Sequence, residues 1–205
     1  ILNLANSDDP KADTLLAAQF AKLDPQLELD LLEASSEAKG IKSRGKAKTR
    51  EKELASAGAL GPFLPTLNGG DVEAGKKVAL GHPAAQCIRC HKVGSTGGIL
   101  GPDLSKVASR LSPQKLLESL VNPQAQLAEG YGLLVATLED GSTVTGSITK
   151  ATAETYTLQS PDGKQSTLER SLVASQLLTS PMPPAGTILS KREIRDLIAF
   201  LSTLR

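Results

Sequence analysis

Hydrophobic spacing divides the chain into segments of different character. Residues 1–57 read as helical: Lys11 to Leu23 places apolar side chains at 15, 16, 20 and 23, close to a 3.6-residue period. Asp24-Pro25 has the form of an N-cap with proline at the first helical position, and apolar residues follow at 27, 29, 31 and 32. Residues 58–70 lose this rhythm; with four Gly and two Pro they read as a linker. Asp71 to Leu80 resumes a short helical pattern. Between 131 and 178 the pattern changes to β-branched runs, with Val144 and Ile148 on one face. Two turns, Glu139-Asp140-Gly141 and Pro161-Asp162-Gly163, separate those runs and predict an antiparallel unit of about four strands. From Ser190 the helical period returns, with Ile194, Leu197, Ile198, Leu201 and Leu204 in one stripe. Ser190 and Glu193 have capping-box spacing at its start. The expected fold is mainly α: a helical extension (1–57), a linker (58–70) and a helical domain (71–205) interrupted by a small β-rich insert at 131–178.

Composition adds two points. The chain has three Phe, two Tyr and no Trp, although large aromatics normally supply much of a core's buried area. Either a buried macrocycle makes up the shortage, or the chain is an Ala/Leu-rich helical protein that needs few aromatics. The net charge of +1 favours neither nucleic acid nor a strongly acidic partner for the molecule as a whole. Positive charge is concentrated at 39–52, where seven basic residues face one acid, Glu51. Two readings stand for that segment: a solvated helix face or arm, and a docking surface for an acidic redox partner or a membrane. No aromatic residue interleaves with these cations, which excludes a base-stacking surface and leaves no case for nucleic acid. No apolar run approaches the roughly 20 residues that span a bilayer. The chain begins at Ile1 and shows no secretory signal, as expected of a processed or excised chain.

The chemistry is concentrated in Cys87-Ile88-Arg89-Cys90-His91. Cys-x-x-Cys-His is the attachment signature of c-type haem, in which two thiols bind the macrocycle edge and the adjacent imidazole meets the iron. These are the only two cysteines, so no disulfide framework competes for them. One covalent haem per chain is the cofactor expectation. Covalent attachment takes place outside the cytoplasmic membrane in bacteria, so a periplasmic or otherwise exported location is expected. The iron's second axial ligand has few candidates: the chain holds one methionine, Met182, and one other histidine, His82. Met182 lies in Ser180-Pro181-Met182-Pro183-Pro184, where the prolines restrict the loop that would hold a weak thioether ligand. Its alternative is a gap-filler in the core. His82 is a surface or supporting residue, or an alternative distal ligand on a short tether to Cys87. Arg110 is a candidate partner for a haem propionate, with a plain surface arginine as the alternative.

Gly101-Pro102-Asp103-Leu104 resembles the segment that follows the haem motif in class I c-type cytochromes. The resemblance implies that the Pro102 carbonyl orients His91 through its second ring nitrogen. Further motifs recur in order: Gly70-Asp71-x-x-x-Gly75, His82-Pro83-Ala84-Ala85-Gln86-Cys87, Arg110-Leu111-Ser112, Leu117 to Pro123, Asp140-Gly141, Met182-Pro183-Pro184 and the final Leu-Ser-Lys-Arg-Glu-Ile-Arg-Asp-Leu stretch. Together they resemble the haem-binding domain of the Planctomycetes/Verrucomicrobia (Pirellula/Verrucomicrobium) type over residues 68–205. That resemblance implies a class I cytochrome c-like domain at the C-terminus of a larger redox protein carrying a dehydrogenase-like domain. Met182 follows His91 by 91 positions, and excising 131–178 leaves 43. The β unit therefore reads as an insert between two halves of a haem pocket, serving to shield it, present a partner surface or form a homodimer.

The leading functional expectation is non-catalytic electron transfer with His91 and Met182 as axial ligands and a redox protein or fused domain as partner. The first alternative is a haem-based ligand sensor or peroxidase-like enzyme with a labile Met182. The second drops haem for a zinc or dithiol site at Cys87, Cys90, His91 and His82, although adjacent Cys90 and His91 are poor co-ligands for one tetrahedral ion.

Overall fold

Four helices open the chain: α1 (Leu2–Ala5), α2 (Pro10–Gln19), α3 (Glu28–Glu37) and α4 (Ile41–Ala55). The computed structural model describes residues 1–128, 130–160 and 162–205; Pro161 of the second Asp-Gly turn lies outside them. Asp9 caps α2, its carboxylate accepting from the Lys11 N–H at 2.8 Å, and Pro10 takes the first helical position. Asp24-Pro25 does not cap a helix. It closes a turn in which Asp24 Oδ1 accepts from the Gln26 N–H at 2.9 Å, and α3 starts only at Glu28. The basic stretch forms α4, which runs through Gly45. Its first turn is capped from α2: Asp13 accepts from the N–H groups of Ser43 (2.9 Å) and Lys42 (3.1 Å) and from the Ser43 hydroxyl (2.6 Å). A Cβ on Gly40 would lie 2.1 Å from that carboxylate, which is why glycine precedes the helix.

A helical unit follows. Residues 58–70, which read as a linker, instead form a 3-10 run at Gly61–Leu67 with Pro65 and Thr66 buried. Leu60, Phe63, Leu64 and Leu67 pack against the core made by α5 (Val72–Gly81), α6 (Pro113–Val121) and α7 (Lys191–Leu201). Ala79, Leu116, Leu117, Ile194, Leu197 and Ile198 are buried at its centre. Helices α5 and α7 meet at Gly75, where a Cβ would lie 1.9 Å from the Asp196 carbonyl oxygen. Asp71 caps α5, and Ser190 with Glu193 forms the capping box of α7. The N-terminal layer is joined to this unit by Leu64 and by ion pairs of Arg192 and Arg195 with Asp30 at 2.7 and 3.0 Å.

The remaining structure is β. A short hairpin, β1 (Lys92–Val93) with β2 (Thr96–Gly97), follows the Cys-x-x-Cys-His motif. Strands β3 (Leu133–Leu138), β4 (Thr143–Ala151), β5 (Thr155–Gln159), β6 (Gln165–Glu169) and β7 (Val173–Thr179) form an antiparallel sheet in the order β6-β5-β4-β3-β7. Leu134, Ala136, Ile148, Tyr156, Leu158 and Leu168 line its buried face, and this cluster draws only on the sheet. Register shifts leave one extra residue in β7 (Ala174, against β3) and one in β4 (Thr149, against β5), bulges that add bend and twist. Leu133 pairs with Thr179, so the chain enters and leaves the sheet side by side.

The mainly α, class I cytochrome c-like architecture expected from the sequence does not hold. The chain is 45% helical and 18% strand, with a five-stranded sheet, and is therefore a mixed α and β protein. The fifth strand explains part of the discrepancy. Ala174 to Leu177 of β7 are exposed, so the strand lacks a clean alternation. It is a strand because it pairs with β3, far earlier in the chain. No helix among the described residues is long and apolar enough to cross a membrane.

Candidate functional site

Cys87–Arg89 make one 3-10 turn, and the N–H groups of Cys90 and His91 donate to the Cys87 carbonyl at 3.2 and 2.9 Å. Residues three apart eclipse in such a turn, which puts both cysteines on one side of it. Neither is in a disulfide; Cys87 is half-buried and Cys90 exposed. Burial pushes the Cys87 thiol up, away from the thiolate that a dithiol reagent needs. The turn is entered through Gln86 at φ 44° and ψ 42°, the one left-handed non-glycine among the described residues. That conformation costs on the order of 1–2 kcal/mol. The Gln86 side chain offsets it, donating to the Pro83 carbonyl at 2.8 Å and accepting from Arg89 Nη1 at 2.8 Å.

His91 Nδ1 lies 2.8 Å from the Pro102 carbonyl oxygen. A carbonyl only accepts, so the proton sits on Nδ1 and the lone pair on Nε2. Burial holds the imidazole below the ordinary histidine range, opposed in part by the Pro102 carbonyl. Nε2 has no hydrogen-bond partner among the described residues. The β1–β2 hairpin and the loop after it carry Pro102 into place. The Gly98 N–H donates to Ile88, Gly101 to Cys90 and Leu104 to Lys92, each at 2.8 Å. A Cβ on Gly101 would lie 2.6 Å from His91 Cε1, so only glycine lets the ring pack against the backbone here.

Arg110 supports the same loop. Its Nη2 donates to the Asp103 carbonyl at 2.6 Å, one residue beyond Pro102. Cys87, Cys90, His91, Pro102 and Arg110 thus belong to one hydrogen-bonded group of loops. Met182 stands apart from these hydrogen bonds; it is half-buried against the extended helical core, against which Val93, Leu104 and Leu111 also pack. Its backbone N–H donates to the Ser180 hydroxyl at 3.1 Å. Ser180 is in turn paired with the Gln124 side-chain amide at 3.1 and 3.3 Å, closing the seam where the sheet joins the helices.

His82 is not available as a ligand. Its Nδ1 accepts from the Ala84 and Ala85 N–H groups at 3.3 and 3.0 Å, and its Nε2 faces Glu193 Oε1 at 3.3 Å. Both ring nitrogens are engaged, and the side chain ties the loop before Cys87 to the capping box of α7. No group of three or more His, Cys, Asp or Glu among the described residues is placed to hold a metal ion. The zinc set of Cys87, Cys90, His91 and His82 is therefore not assembled.

No family model matches the chain, and no curated protein matches it. The site's meaning rests on its geometry. Two unbridged thiols on one side of a turn, with a neutral, oriented imidazole whose Nε2 is unpaired, fit a flat metallo-cofactor anchored at its edge and ligated at its centre. Gln86, Arg89 and Gly101 complete the site without having been singled out in the sequence. Gly101 had a visible signal in its place before Pro102; the left-handed Gln86 had none.

Proposed function

We propose that this chain carries one covalent c-type haem and transfers electrons through it. The carrying observation is the 2.8 Å contact between His91 Nδ1 and the Pro102 carbonyl, which leaves Nε2 as the donor beside the two free cysteines. Cys87 and Cys90 would hold the macrocycle by thioether bonds, and His91 and Met182 would supply ligands to its iron. When bound, the iron supplies one-electron chemistry.

The protein's own residues do the rest. Pro102 fixes the imidazole tautomer and increases its donor strength. Gly101 lets the ring sit against the backbone, and Arg110 holds the Pro102–Asp103 segment, with propionate pairing as a further proposed role. Val93, Leu104, Leu111 and Met182, each packed against the helical core, would supply apolar walls that keep water from the macrocycle. The resemblance to the Planctomycetes/Verrucomicrobia haem-binding domain supports the same reading. Covalent attachment would require assembly outside the cytoplasmic membrane, so an exported redox protein, or a larger chain with a dehydrogenase-like domain, is the proposed setting.

The test is a redox titration of the purified protein followed by visible spectroscopy, with a pyridine haemochrome assay after acid-acetone extraction. Haem that resists extraction and a low-spin spectrum with a sulfur-to-iron band are expected. Absence of covalent haem refutes the proposal. A high-spin spectrum without that band transfers it to a ligand sensor or peroxidase-like enzyme.

A further inference from the structure

We propose that β7 is the contact edge of a homodimer, in which the sheets of two copies of this chain join edge to edge into one continuous sheet. The inference does not depend on the haem reading. Strand β7 ends the sheet order and pairs only with β3. Among the described residues, no hydrogen bond from outside the sheet reaches Val173–Thr179. Main-chain N–H and C=O groups therefore stand open along its outer side, and an open edge is a template for a further strand.

Natural edges are blunted by charge, proline or a bulge, and the two edges of this sheet differ in that respect. Lys164 precedes β6, and Glu169-Arg170 ends it. β7 instead opens the longest uncharged run of the chain, the twenty residues from Ser171 to Ser190. Its bulge at Ala174 interrupts only the start of the strand and leaves Ser175–Thr179 in regular register against Thr137–Leu133. The two large apolar side chains exposed in the sheet region also lie here: Leu172 is 48% exposed and Leu177 61%.

The edge suits a copy of itself. A strand from a different protein would be selected by complementary charge, and β7 offers none. A two-fold axis brings the same patch against itself, so any charge on it would meet its like; an uncharged strand escapes that repulsion. An axis that keeps the faces of the joined sheet passes through a residue paired with its own copy, and the middle of the regular segment is Leu177. This register sets Leu177 against its own copy, Ser175 against Thr179 and Gln176 against Leu178. Val135 already lies opposite Leu177 within the sheet. Directly opposite residues share a face, so an apolar row would run from Val135 through both copies of Leu177, on the face turned away from Leu134 and Ala136. So short a contact buries little area, which makes the dimer reversible and concentration-dependent.

The test is sedimentation equilibrium of the full chain over a dilution series, with reductant present wherever Cys87 and Cys90 are free thiols. A reversible dimer is expected. Leu177→Lys and Leu177→Glu should each weaken it by about tenfold or more, because like charges then meet at the axis. An equimolar mixture of the two variants should recover it, since a register centred on Leu177 sets the introduced lysine opposite the introduced glutamate. Thr167→Lys on β6 should leave the dimer unchanged. Circular dichroism should give all three variants the strand signal of the parent, because both positions are exposed. Amide exchange needs no variant: protection at Ser175–Thr179 should rise with protein concentration, while protection along β6 should not.

A parent that stays monomeric at every dilution overturns the proposal and leaves the edge to a strand of another protein. So does a dimer that survives Leu177→Lys, a mixture that fails to restore it, a dimer broken by Thr167→Lys instead, or concentration-dependent protection confined to β6.

Discussion

The helical unit and the sheet close their cores in opposite ways. The helical core needs Leu60 to Leu67, α5, α6 and α7 together, so it closes only when segments from 60 to 204 meet. The sheet closes its core from residues 134–178, mostly between strands that follow one another. All the candidate site residues stand in loops of the helical unit, and among the described residues no strand of the five-stranded sheet supplies their hydrogen bonds; Met182 alone is tied to the seam, through Ser180, which Gln124 binds. The contrast teaches that the site's integrity is tied to long-range helix packing, while the sheet is an addition whose ends, Leu133 and Thr179, already lie side by side.

The strongest break of this comparison is Gly75→Val. A side chain there meets the Asp196 carbonyl and Phe200 where α5 crosses α7. We expect a loss of about 3 kcal/mol or more, loss of haem incorporation, and a sheet that still resists proteolysis and gives a strand signal in circular dichroism. One common unfolding transition for both regions would show that they are not separable. The converse is excision of 131–178 with a short connector. Paired residues of adjacent strands are only about 5 Å apart, so the visible spectrum and the helical signal should survive while the strand signal vanishes. Loss of all haem incorporation would make the sheet part of the pocket.

The same contrast explains what could be read from the sequence. Features set by near neighbours were legible: the box of Ser190 and Glu193, the short helix beginning at Asp71 and the turn at Asp140-Gly141. The His91–Pro102 contact was legible through a resemblance, because the two lie in one short loop. Features set by distant partners were not. Gly40 looks like a helix breaker until Asp13 is placed on it, and residues 58–70 look like a linker until Phe63 meets Gly186. The strand β7 reads as nothing in particular until β3 pairs with it, and this is how a mixed fold passed for a mainly α one.

Met182→Ala sharpens the comparison at its one junction. Met182 packs with the helical unit but hangs from Ser180, which Gln124 binds at the seam. Haem should remain attached, because the cysteines are untouched, and the reduction potential should fall or a coordination position should open. An unchanged spectrum and potential would exclude Met182 as a ligand. Gln124→Ala should produce a weaker shift in the same direction, measured in the same titration.

The smallest effect concerns acid. Ser190, through its N–H and hydroxyl, holds the Glu193 carboxyl below its ordinary value of 4.5, and His82 adds to the shift. A carboxyl whose folded value is depressed stabilises the fold above its unfolded value, and that contribution is lost as pH falls from about 4.5 through the lower folded value. Asp140 and Asp162 in the sheet are also held low, by Ser142 and Ser160, but those bonds span only two residues. Protonating them frays a turn. Protonating Glu193 loosens both the α7 cap and the His82 tether to the loop before Cys87. Glu193→Gln keeps a capping-box residue type, so the cost at neutral pH should be a few tenths of a kcal/mol to about 1. Its mark should be a flatter dependence of helical-unit stability on pH between 6 and 3, read by thermal melts at the haem band. The sheet's melting, followed by circular dichroism, should be indifferent to the substitution; an equal shift in both regions would mean that they answer to one cooperative fold.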